Sequence, residues 1–79
     1  MEKNLYTKRQ KKLLQLLRDI RLDARLRQED VAESLEKPQS FVSKYESGER
    51  RLDVLELLDV CEAVGISLTD FVSRLEKVV

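Results

Sequence analysis

QEDVAESLEKPQSFVSKYESG, residues 28–48, holds two short apolar stripes at helical spacing with one break between them. Val31, Ala32 and Leu35 form the first stripe; Val42 and Tyr45 form the second, which starts just after Pro38. Proline suits the first turn of a helix, where its missing N–H takes no bond away. Only a few residues around Glu36 and Lys37 separate the stripes. A connection that short makes the two axes cross steeply, which is the geometry of a helix-turn-helix. The second helix then presents Gln39, Ser40, Phe41, Ser43 and Lys44 outward. Gln can bond an adenine edge bidentately, Lys suits guanine acceptors, Ser is adaptable, and a ring such as Phe41 can contact a thymine methyl. Taken singly, each is better explained as the polar outer face of a helical bundle. Gathered on one helix after a tight turn, they point to a surface that reads DNA.

Outward from this segment the spacing stays helical. Leu13, Leu14, Leu17, Ile20, Arg21 and Ala24 make a stripe that predicts a first helix from about Thr7 to Ala24, with the aliphatic stem of Arg21 continuing it. Val54, Leu57, Leu58, Cys61 and Val64 predict a fourth helix. Asp53 with Glu56 is its start signal, and Gly65 its left-handed stop. Ser67 with Asp70 starts a fifth helix over about 67–78, with Leu68, Phe71, Val72, Leu75 and Val78 on one face. The ends, 1–4 and 78–79, are expected to fray.

Two glycines and one proline in 79 residues leave little turn chemistry for a sheet, so the expected class is all-α. One domain fits this length, and no internal repeat or linker interrupts it. With no histidine and the single Cys61, a zinc site and His-dependent nucleophile systems are not expected, and no metal, cofactor or enzymatic activity is. Cys61 lies on an apolar stripe, where a packed thiol is the ordinary reading. No apolar run is long enough for a bilayer and the start is polar and basic, so the expected location is cytoplasmic. The net charge is zero, which by itself argues against nucleic acid. It is the sum of unlike parts: residues 1–52 carry 13 basic and 9 acidic side chains, residues 53–79 carry 2 and 6. A basic surface can attract phosphate on a neutral molecule.

Gln28-Glu-Asp-Val-Ala32, Gln39-Ser-Phe-Val-Ser-Lys-Tyr-Glu46, Gly48-Glu-Arg-Arg51 and Val64-Gly-Ile-Ser-Leu68 with Phe71 together resemble the XRE or Cro/phage-repressor type of helix-turn-helix. The resemblance spans about Leu17 to Phe71. It implies a five-helix, lambda-repressor-like DNA-binding domain, commonly dimeric, whose second motif helix enters the major groove. By position it implies base contacts from Gln39, Ser40 and Lys44, with Phe41 standing where a smaller residue is common. It implies a phosphate contact from Gln28 and others from Ser47, Arg50 and Arg51, with Lys37 and Arg27 as further candidates. It implies an ion pair between Arg21 and Glu46 that ties the first helix to the recognition helix. Arg25 and Glu36 stand where the family often has glycine at positive φ, and Arg27 and Pro38 where it has hydroxyl caps.

The remaining features have plain readings too. Lys8, Arg9, Lys11 and Lys12 form a basic cluster that suits the DNA flank or a solvated helix face. Glu29 and Asp30 suit the dipole at a helix start. Glu56, Asp59 and Glu62 suggest an acidic outer face on the fourth helix. Val72, Leu75, Val78 and Val79 suggest a two-fold interface that Leu55 can join; the alternative is packing against Leu5 and Tyr6. The expected function is a sequence-specific regulator of transcription on double-stranded DNA, a homodimer on a near-palindromic operator. The competing class is a helix-turn-helix-fold protein interaction module, such as an antitoxin or adaptor, with weak or no specific DNA binding.

Overall fold

Five helices and no strand form among the described residues, 2–77: α1 Glu2–Asp23, α2 Gln28–Leu35, α3 Gln39–Ser47, α4 Val54–Val64 and α5 Leu68–Lys77. The structure is a computed structural model. Met1, Val78 and Val79 lie outside the described residues, as do the side chains of residues 2–7, Leu5 and Tyr6 among them. The expectations placed on Val78, Val79, Leu5 and Tyr6 therefore lie outside them as well. The all-α class and five-helix order agree with the sequence reading. Helix α1 is longer than the expected Thr7–Ala24, because residues 2–12 contain no Gly or Pro and are rich in helix-forming Glu, Lys, Leu, Arg and Gln.

The helix ends explain how the chain turns so tightly. At α4, Glu56 N–H donates to Asp53 Oδ1 at 2.7 Å and Asp53 N–H donates to Glu56 Oε1 at 3.0 Å, a complete capping box. Gly65 ends that helix at φ 83°, and Ser67 Oγ then accepts Asp70 N–H at 3.0 Å to start α5. Helix α2 has no side-chain acceptor at Arg27, but Asp30 reaches back to accept the Arg27 backbone N–H at 2.8 Å and its guanidinium at 3.1 Å. Arg25 (φ 60°) and Glu36 (φ 58°) both sit in the left-handed region. That conformation costs a non-Gly residue roughly 1–2 kcal/mol. At Glu36 the turn recovers bonds: Lys37 N–H donates to Ala32 O at 2.9 Å and Glu36 N–H to Glu33 O at 3.0 Å.

The core joins all five helices: Leu17 and Ile20 from α1, Val31 and Ala32 from α2, Val42 and Tyr45 from α3, Val60 and Cys61 from α4, and Phe71 from α5. Two expectations about α4 are corrected. Val60 is its buried aliphatic, while Val54 is 69% and Leu58 37% exposed. The α4 segment is apolar on most sides, so helical spacing alone allows several stripes, and packing against α2 and α5 selects the one through Leu57, Val60, Cys61 and Val64. Glu56 also leaves the expected acidic outer face. It is half-buried and turned toward Arg50, while Asp59 and Glu62 remain exposed. Cys61 is fully buried, and burial pushes its thiol pKa up. Gly48 closes α3 at φ 89°, and a Cβ there would lie 3.1 Å from Leu14 Cδ1, so α3 and α1 meet through the missing side chain. No helix is long and apolar enough to cross a membrane among the described residues.

Candidate nucleic-acid interface

Packing of Val42 and Tyr45 into the core sets the rotation of α3. Gln39, Ser40 and Lys44 are then exposed, with Ser43 partly covered between them. These four share the outward side of a helix that is pinned on its inner side.

Phe41 departs from its expected place on that side. Its ring is half-buried and packs against the core, edge-on to Tyr45 with centroids 5.6 Å apart and planes at 78°. Residues four apart on a helix lie one above the other, so Phe41 covers Tyr45 rather than standing clear of the helix. Two cations use its ring: Lys37 Nζ lies 5.5 Å and the Arg50 guanidinium 4.8 Å from the centroid.

A polar chain runs from α1 to the first turn of α3. Arg21 is 8% exposed, and its guanidinium donates to both oxygens of Glu46, at 2.6 Å through Nε and 3.0 Å through Nη2. A third donor, Nη1, reaches Leu26 O at 3.0 Å. The Glu46 hydrogen bond raises the Arg21 pKa despite burial, which opposes it. Glu46 Oε1 also accepts from Gln28 Nε2 at 3.0 Å, and Gln28 Oε1 accepts from Gln39 Nε2 at 2.6 Å. An ionised carboxylate only accepts, so Gln28 must turn its NH2 to Glu46 and its oxygen to Gln39. Gln39 must then donate to Gln28. Its own Oε1 and second N–H remain for an outside partner, the donor–acceptor couple that matches the adenine N6 and N7 edge.

The residues expected at phosphates lie around this face. Gln28 is half-buried beside Gln39. Arg27 is exposed and held by Asp30; that contact raises the Arg27 pKa and lowers the Asp30 pKa. Ser47 Oγ makes local contacts, to Lys44 O at 3.1 Å and to Glu49 N–H at 3.4 Å. Lys37, Arg50 and Arg51 are exposed. Sequence reasoning did not find the partner of Arg50: Nη1 donates to Glu56 Oε1 at 3.0 Å and Nη2 to Glu56 Oε2 at 2.7 Å. The Arg50 hydrogen bond, then the Asp53 backbone N–H, hold the Glu56 carboxyl down to about 2. No group of His, Cys, Asp and Glu that could hold a metal ion occurs among the described residues.

Comparison with known proteins agrees with this geometry. A family model described as helix-turn-helix matches residues 17–71. Among solved structures, an XRE-family-like protein from Pseudomonas syringae pv. tomato str. DC3000 is 42% identical, with a TM-score of 0.90, over 98% of this chain and 94% of its own. The wild-type restriction-modification controller protein C.Esp1396I is 25% identical, with a TM-score of 0.79, over 87% of this chain and 90% of its own. A point mutant of that controller gives 26% identity and the same TM-score of 0.79, over 87% of each chain. No curated protein matches the sequence significantly.

Proposed function

The chain belongs to the XRE-type helix-turn-helix family, whose members regulate transcription by binding DNA, and from that premise we propose a sequence-specific regulator that acts as a homodimer on a near-palindromic operator in the cytoplasm. The observation that carries this reading is the chain from Arg21 through Glu46 and Gln28 to Gln39. It presents one amide of defined polarity on the outward face of α3, beside Ser40, Ser43 and Lys44. In the dimer, two α3 helices enter successive major grooves about 34 Å apart. Gln39 and Lys44 choose bases; Gln28, Arg51 and Lys37 supply phosphate contacts. The exposed apolar side chains Val54, Leu55 and Leu58 on α4 and Val72 on α5 are the surface offered to the second copy. Leu75, expected in the same interface, is half-buried against the chain's own core and contributes less.

The test is selection from random duplexes, repeated with Gln39→Ala. The expected result is one enriched two-fold motif for the wild type. The variant should lose about 1–3 kcal/mol on that motif and relax at one adenine position per half-site. Unchanged preference in the variant would show that α3 reads through another face. Absence of any enriched duplex would favour the interaction-module reading.

A further inference from the structure

Arg50 follows the recognition helix, where a phosphate contact is expected, yet an anion of the chain itself already holds it. Glu56 takes two guanidinium donors end-on, at 3.0 and 2.7 Å, and Arg51 O takes another from Nη1 at 2.9 Å. The Phe41 ring lies under the same guanidinium at 4.8 Å. Lys37 lies at 5.5 Å from that ring. Four segments thus meet in one cluster: the motif turn, α3, the loop after α3 and the first turn of α4. Glu56 is fixed there because it also accepts the Asp53 N–H at 3.0 Å. A carboxylate held bidentately on arginine presents two oxygens much as a phosphate does.

We propose that Glu56 is a specificity-setting residue that acts as an internal stand-in for a DNA phosphate on Arg50, so that non-specific duplex must displace it to gain that contact. The inference rests on the DNA-binding reading above. Non-specific binding is driven by the number of phosphates neutralised, and Glu56 removes one cation from that number. The operator complex, held in one register by its base contacts, leaves Arg50 on Glu56 and loses nothing, so the difference between the two binding free energies widens. The residue does not touch DNA; it acts through Arg50.

Glu56→Gln is the informative variant, because glutamine can keep the capping bond to the Asp53 N–H while no longer offering a full charge to Arg50. Binding of wild type and variant to a random-sequence duplex and to the selected operator is measured between 50 and 200 mM salt. The variant is expected to bind random duplex roughly three- to tenfold tighter at low salt, with a salt slope steeper by about 0.9. Its preference for operator over random duplex should fall. Adding Arg50→Ala to Glu56→Gln should abolish the gain, an outcome that a general loosening of α4 does not produce. A variant that binds random duplex no tighter than wild type, with an unchanged slope, overturns the proposal while leaving DNA binding intact. Failure of both proteins to bind any duplex overturns the functional reading and this proposal with it.

Discussion

At the scale of single residues, one buried ion pair does two jobs. The Arg21 and Glu46 side chains are 10% and 6% exposed, so each charge is compensated by the other where water is largely excluded. Glu46→Ala should lower stability by about 3–5 kcal/mol in urea unfolding, because it leaves an uncompensated guanidinium in the core. A loss under about 1 kcal/mol would mean that water reaches Arg21 freely. The same carboxylate orients Gln28 and through it Gln39. Much of this is legible through the family resemblance, which implies the Arg21–Glu46 pair and marks Gln28 and Gln39 as contact residues. The contacts joining Gln28 to Gln39 and Gln28 to Glu46 were not, since they depend on how steeply α2 and α3 cross. Phe41 misled for a similar reason. A nine-residue helix with two apolar anchors leaves its rotation loosely defined, and a ring at its edge can fall to either side. Glu56 was legible as half of a capping box, and that local explanation was sufficient enough to hide its second contact, six residues back along the chain.

At the scale of elements, the termini were easier to read than the faces. Asp53, Gly65 and Ser67 act where their chemistry places them, because caps are local and need no tertiary information. The stripe on α4 was harder, because apolar residues occupy most of its circumference and several stripes satisfy the same spacing. The two turns flanking α2 carry strain that sequence can remove. Arg25→Gly and Glu36→Gly each relieve a left-handed non-Gly residue, at φ 60° and 58°. Relief of roughly 1–2 kcal/mol is partly offset by the greater freedom of glycine in the unfolded chain. Each variant should therefore raise the thermal midpoint, with a net gain of about 0.5–1 kcal/mol. An unchanged or lower midpoint would indicate that the Arg25 or Glu36 side chain makes a compensating contribution.

At the scale of the whole molecule, the neutral total divides between a basic portion that carries the helix-turn-helix and an acidic portion that follows it. The exposed side chains Val54, Leu55 and Leu58 lie on the acidic portion, and Leu55 is 72% exposed. Burying such groups against a second copy is the expected outcome. Sedimentation equilibrium at micromolar concentration should give twice the chain mass, and Leu55→Glu should give the single mass with its helical spectrum intact. A wild-type monomer at high concentration would rule out the dimer, and two-fold symmetry of the operator would lose its basis.

The burial of Cys61 has one more consequence. Its thiol is completely enclosed at the meeting of α4 with the rest of the core, and the sequence has no second cysteine to confuse a reading. A thiol reagent can reach it only when the core opens, so the rate of alkylation times that opening. The chain therefore carries its own stopwatch. Anything that clamps the native state, whether a second copy or a bound duplex, will slow the clock without any added label.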